Sequence, residues 1–262
     1  MKIDGLLRVV NFVKMGGVIE ESLFVIEKQT CNVLAMDASN DVLVRVKAPV
    51  DLPAIGELPL ANLSYFVKLY ECFKGMDVEV NKIEEDTKLL VAPTSKEGLF
   101  FLLAEKKHIR TTVETPEMVD GILKAITMTV DLLEETRDRC KQLLSVIASE
   151  NIFFMIEKDG CIVLHAGGEQ ETGFDIEVGK GKTQKKEWSF PVNKERLLAI
   201  LDVLEYPQPP KEKEGEETKG KLKRTPKVVI PQLNLVNDPE HPDQPLAVFT
   251  QPDAVWVLSA IR

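Results

Sequence analysis

The sequence predicts an α+β protein built from two copies of one domain, each with two helices packed on antiparallel sheets. Two observations carry this. The order helix, four strands, helix, three strands read along residues 1–106 recurs along residues 125–262 behind one extra strand. In both halves Asn stands at the boundary of the second helix, in PLANLSYFVKLYECF and in FPVNKERLLAILDVL. The 262 residues, 44% hydrophobic, suffice for two domains of ordinary size with real cores.

Residues 5–18 open the first copy. Leu6, Val9, Val10 and Val13 recur at helical spacing, with Arg8, Asn11 and Lys14 on another face. ESLFVIEK, CNVLAMDA and DVLVRVKAP alternate as strands and are separated by turn residues, which predicts a meander that ELPLA extends. Asn62 caps the helix NLSYFVKLYECF, and DVEVNKIEE, TKLLVAPTS and GLFFLLAEK read as strands. Residues 107–124 form a mixed polar connector without clear period. In the second copy ITMTVDL is a strand and LEETRDRCKQLLSVIA an amphipathic helix. NIFFMIEK, GCIVLHAGG, GFDIEVGK and KEWSFPV follow as strands, then a helix capped by Asn193, then KVVIPQLNLV, PLAVFTQP and AVWVLSAI. Residues 207–227, rich in Pro, Gly and mixed charge, read as a solvated loop, and 180–186 (KGKTQKK) as a basic one.

Forty-two acidic residues against 33 basic ones give a net charge of −9. That argues against a surface basic all over, though not against a local basic patch. Cys31, Cys72, Cys140 and Cys161 are scattered among apolar neighbours and read as buried free thiols. Asp4, Arg8, Asn11 and Lys14 interrupt the apolar start, so it reads as an amphipathic helix rather than a signal peptide. No stretch is long and apolar enough for a membrane span, and the expected location is the cytosol, or the nucleus in a host that has one.

No catalytic residue is expected. Gly181-Lys182-Thr183 lacks the earlier glycine of a phosphate loop, since Ile176 stands there, and it lies between strands rather than before a helix. His108, His165 and His241 have no metal-ligand spacing, and Ser39 and Ser64 lack a nucleophile-elbow context. The expectation is no cofactor, no metal and no enzymatic activity.

Four segments carry a family resemblance. MDASNDVLVRV (36–46), TMTVDLLEETRDRCKQLLSVI, CIVLHAGGEQETGFDIEVGKG and PLAVFTQPDAVWVLSAI resemble, in order, segments of DNA polymerase sliding clamps of the proliferating cell nuclear antigen type. Together with the two-domain repeat, the match covers nearly the whole chain in order. The sequence departs from the family in ending VLSAIR, without an Ala-Pro-Arg/Lys-Ile-Glu tail, and in its long 207–227 segment, as a divergent member would.

The resemblance implies a homotrimeric ring that encircles duplex DNA without reading sequence, tethers a polymerase and other clamp-binding proteins, and needs a clamp loader. It implies N-terminal and C-terminal clamp domains (1–106 and 125–262) joined by the connector 107–124. Subunits would pair through Phe100, Phe101, Leu102 and Leu103 of one chain and Asp175, Ile176, Glu177 and Val178 of the next, although either segment also reads as an ordinary strand. Arg8, Lys14, Lys68, Lys74, Arg137, Arg139, Lys141, Lys194 and Arg196 would face DNA, in company with Glu71, Glu134 and Asp202; the same spacing also describes solvated helix faces. Partner peptides would insert at Met36, Asn40, Leu43, Ile122, Leu123, Pro245, Val257 and Leu258, of which Met36, Leu43 and Leu258 read equally well as core. The rival reading is a clamp-fold polymerase accessory factor acting as a monomer or hetero-ring subunit.

Overall fold

In the computed structural model, which describes residues 1–93, 98–111, 116–168, 172–182, 187–206, 229–237 and 245–260, the apolar stripe of the first segment folds onto a sheet. Helix α1 (Asp4–Lys14) buries Leu6, Val9, Val10 and Val13. It stops short of the predicted residue 18 because Met15 turns left-handed at φ 44° and Gly16 follows at φ 66°. Strands β1 (Glu21–Glu27), β2 (Thr30–Met36), β3 (Val42–Pro49) and β4 (Gly56–Ala61) form the meander. The Asn62 side chain then accepts a 3.0 Å hydrogen bond from the Tyr65 amide and starts α2 (Leu63–Tyr70). Strands β5 (Val78–Ile83), β6 (Lys88–Pro93) and β7 (Leu99–Leu102) complete the first repeat.

The connector differs from its sequence reading. It carries a helix, α3 (Pro116–Lys124), on which Val119, Ile122 and Leu123 share one face. A proline at the first helical position is favourable there, since its missing N–H has no intrahelical role.

The second repeat runs β8 (Met128–Asp131), α4 (Glu134–Val146), β9 (Ile152–Ile156), β10 (Cys161–Ala166), β11 (Phe174–Lys180), β12 (Trp188–Pro191), α5 (Lys194–Val203), β13 (Gln232–Val236), β14 (Leu246–Gln251) and β15 (Ala254–Ser259). Asn193 caps α5 as Asn62 caps α2, accepting from the Arg196 amide at 3.0 Å. Buried positions correspond at one constant spacing: Val9 with Cys140, Val13 with Leu144, Cys31 with Ile162, Val33 with Leu164, Ala35 with Ala166, and Phe66 with Leu197. The halves are therefore repeats in packing as well as in element order. Strand β8 has no counterpart before α1, where the Met1 carbonyl accepts a 2.8 Å bond from the Val78 amide. Residues 207–228, most of the basic loop (183–186) and His241 lie outside the described residues.

Strand pairing joins the repeats. The largest sheet runs β4-β1-β2-β3-β15-β14-β13-β8 and crosses from one repeat to the other at β3 and β15, antiparallel, with Val44 opposite Trp256. The remaining strands form β11-β10-β9-β12 and β5-β6-β7. On the inner face of the long sheet, the Trp256 indole packs edge-on against Phe12 at 5.6 Å and donates to the Phe12 carbonyl at 3.1 Å. One core thus continues under helices from both halves.

Candidate functional site: helix layer, open strand edges and outer groove

The helices pack in the order α2, α1, α5, α4, with the turn that ends α1 lying against α5. Basic side chains on this layer divide into two groups. Lys14, Lys68, Lys74 and Arg139 are at least partly exposed and make no ion pair with a described residue. The other five are engaged. Arg8 lies 2.7 Å from both Glu205 and Asp253, and its hydrogen bond to Glu205, ahead of that to Asp253, raises its pKa although burial opposes the shift. Arg137 covers the Tyr206 ring at 4.4 Å, donates to the Leu204 carbonyl at the end of α5, and meets Glu134 at 3.1 Å. Lys141 pairs with Asp202 at 2.6 Å. Lys194 donates to the Ile147 carbonyl and meets Glu150, both at 3.1 Å.

Arg196 reaches from the second repeat to Asp37 in the first, at 3.2 Å. The Asp37 side chain is wholly buried and also accepts the amides of Asp41 and Val42 and the Ser39 hydroxyl. A buried carboxylate requires such partners, so Arg196 is committed to joining the repeats. Sequence spacing placed all nine cations alike on polar helix faces; the acids that meet Arg8, Lys141 and Lys194, and the Asp37 that holds Arg196, come from other elements and are invisible to helical periodicity, whereas Glu134 shares α4 with Arg137.

The expected interface segments are both sheet edges among the described strands, β7 beside β6 and β11 beside β10. Their side chains alternate. Phe101, Ile176 and Val178 point into the core, with Phe101 packed on Phe66 at 5.1 Å. Phe100, Leu102, Asp175 and Glu177 point outward, and Leu103 packs at the core margin. Phe100 and Leu102 are more than half exposed, an unusual state for large apolar side chains on an unpaired edge. On the neighbouring face Asp175 holds the His165 imidazole at 2.6 Å.

On the outer face of the long sheet, Met36, Leu43, Ile122, Leu123 and Val257 gather together with Val119, Val236 and Val248. What fills the space is α3 itself, with Val119 fully buried. Leu258 is a correction. Alternation along β15 sends it, with Trp256, into the core on the opposite face from Val257. Pro245 is buried beside β14, and Asn40 sits exposed in the β2–β3 turn at φ 63°. Asp120 of α3 meets Arg45 of β3 at 2.5 Å, and that hydrogen bond holds the Asp120 carboxyl below its usual range. Beyond this pair an open cleft of about 810 Å³ continues over Leu23, Val25, Leu34 and Val255. Sequence reading missed Val119, whose spacing to Ile122 and Leu123 is the helical i, i+3, i+4 signal; Gly121 and the surrounding polar residues obscured it.

Gly181 has a packing role: a Cβ there would stand 2.5 Å from the Met128 side chain. Among the described residues no helix is long and apolar enough to cross a membrane.

No family model matches the sequence, and no curated protein matches it. Solved structures do match in fold. The proliferating cell nuclear antigen of A. fulgidus, solved with the C-terminal region of FEN-1, superposes at TM-score 0.61 with 15% identity, over 100% of this chain and 97% of that one. The Entamoeba histolytica counterpart gives TM-score 0.62 and 15% identity over 99% and 95%. The Helicobacter pylori β clamp bound to a DNA ligase peptide gives TM-score 0.59 and 11% identity over 100% of this chain, which spans 65% of that clamp's length. At such identities the likeness is one of architecture: the chain has the fold of the DNA sliding clamps.

Proposed function

We propose that the chain is a sliding clamp whose two repeats, closed as a trimer, encircle duplex DNA and hold a polymerase and other replication proteins at their outer face. One observation carries the reading. Inside the chain the repeats join by pairing β3 with β15. Their counterparts at the outer ends of the repeats, β11 and β7, are both unpaired edges among the described strands. Applying the same junction between chains pairs β11 of one with β7 of the next, and repetition closes a ring that leaves neither of these two edges unpaired. A monomeric accessory factor would leave Phe100 and Leu102 in water; the ring covers them.

In such a ring the α2–α1–α5–α4 layer lines the hole. Lys14, Lys68, Lys74 and Arg139 attract phosphates while the paired cations fix the helices. Contacts of this kind are weak, salt-sensitive and indifferent to sequence, which suits sliding. The clamps solved with the C-terminal region of FEN-1 and with a DNA ligase peptide support peptide docking, for which we assign the apolar outer groove at Leu43 and Val257. Loading onto closed DNA requires a clamp loader. No chemical step is assigned to the chain.

Light scattering across a concentration series tests the reading. Three chains are expected for the wild type, and one chain for Phe100→Glu combined with Leu102→Lys. Both side chains are exposed in the subunit, so this variant keeps its core. A wild type that stays monomeric at micromolar concentration removes the ring.

A further inference from the structure

The connector helix α3 occupies the groove to which the preceding reading assigns partner peptides, and the inference rests on that reading. Its contacts are those of a docked peptide. Val119, Ile122 and Leu123 cover Leu43, Val248 and Val257, and Asp120 fastens one side to Arg45 at 2.5 Å. At nine residues α3 is too short to be stable without this docking.

Gly121 at its centre weakens it further, and neither space nor backbone requires a glycine there. A Cβ built on Gly121 meets nothing within 4 Å, and its φ is not in the left-handed region. Glycine in a helix interior lowers helix stability by about four- to fivefold in the folding equilibrium relative to alanine. The free edge of the groove, the open cleft over Leu23, Val25 and Leu34, gives an incoming chain a place to begin.

We propose that α3 is a displaceable plug. It fills the docking groove of the unoccupied subunit and yields it to a partner's short hydrophobic helical segment, with Gly121 keeping the plug weak enough to leave. The partner chemistry follows from the plug: apolar side chains at i, i+3 and i+4, with an acidic residue placed to take Arg45 from Asp120. Apparent partner affinity is then the intrinsic affinity reduced by the fraction of subunits whose plug is lifted.

Hydrogen exchange on the full chain tests the plug. The amides of α3 are expected to exchange by local opening, faster than those of β3 and β15 beneath them. Gly121→Ala is expected to slow α3 by roughly four- to fivefold while leaving β3 and β15 unchanged. Asp120→Ala is expected to speed α3. A fluorescein-labelled peptide of residues 116–124 serves as the docking probe. Its binding to the full chain is expected to rise in Asp120→Ala and to fall in Gly121→Ala by a factor similar to the change in opening. Exchange of α3 in step with β3 and β15, or no response to Gly121→Ala, overturns the proposal by showing a fixed helix and leaves the docking reading intact. Local opening without any matching change in probe binding also overturns it, and in that case the docking reading fails as well.

Discussion

Met15 and Val146 occupy equivalent positions at the ends of the first helices of the two repeats, yet Met15 is 0% exposed and Val146 is 76% exposed. The turn carrying Met15 lies against α5, the second helix of the other repeat. In the proposed ring the same relation would set Val146 against α2 of a neighbouring chain, where Tyr65, the positional equivalent of Arg196, stands 54% exposed. Val146→Glu is therefore expected to place a charge in a desolvated junction. The cost, a few kcal/mol, corresponds to a loss on the order of a hundredfold in association. Sedimentation should show monomers with an unchanged melting temperature, because Val146 makes little contact within its own chain. A variant that keeps the wild-type mass would detach Val146 from the interface.

The two repeats should unfold as one unit. They share an eight-stranded sheet, the Phe12–Trp256 contact and the Arg196–Asp37 pair. Thermal melts followed by tryptophan fluorescence and by circular dichroism are expected to coincide. Arg196→Ala leaves a buried carboxylate with three donors instead of four groups around it, for an expected loss of about 1–3 kcal/mol. The single transition should move down without splitting. Two separated transitions in the wild type would mean that the β3–β15 junction is not a cooperative part of the core.

Thiol chemistry offers a check on the packing. Burial pushes the thiols of Cys31 and Cys140 up to about 12, so both stay protonated and unreactive at pH 8. Cys161 is also raised, chiefly by burial, and Cys72 is exposed. One thiol, Cys72, should react rapidly with a disulfide reagent under native conditions, and all four should react in denaturant. The sequence reading took all four as buried; Cys72 escapes because it lies in the single turn after α2 (Glu71–Phe73), where Phe73 rather than Cys72 faces the core. Fast native labelling of Cys72→Ser would contradict the burial of the other three.

Element order was legible in the sequence because alternation and helical spacing report which face is buried, and Asn62 and Asn193 mark two helix starts by side-chain chemistry. The long sheet was not. Nothing local in DVLVRVKAP and AVWVLSAI says that they pair with each other across some two hundred residues. The same limit explains the site. Helical spacing located Lys68 and Arg137 alike on polar faces, but only the fold shows Arg137 laid over Tyr206 and bonded to Leu204. In the connector, Val119, Ile122 and Leu123 did carry a helical signal, too short to stand out against Pro116, Asp120 and Gly121.

The division of cations on the helix layer leads to the most direct test of DNA contact. Replacing Lys14, Lys68, Lys74 and Arg139 together by alanine removes basic groups that no described acid engages. Stability should change little, since all four side chains are at least partly exposed and none makes a side-chain capping bond among the described residues, and such surface positions contribute roughly 0.5 kcal/mol or less each. Each lost phosphate contact should reduce the slope of log affinity against log salt by about one, so duplex binding should weaken equally for every sequence and become less salt-dependent. Lys141→Ala and Arg137→Ala form the contrasting pair. Lys141 is held by Asp202, and Arg137 supports the end of α5, so their removal should act on the melting temperature, Arg137 the more strongly, with little change in salt slope. Fluorescence anisotropy on labelled duplexes at several salt concentrations distinguishes the two groups. If the quadruple variant binds duplex with the wild-type slope while Arg137→Ala or Lys141→Ala flattens it, DNA meets the paired cations and the lining proposed for the ring is wrong.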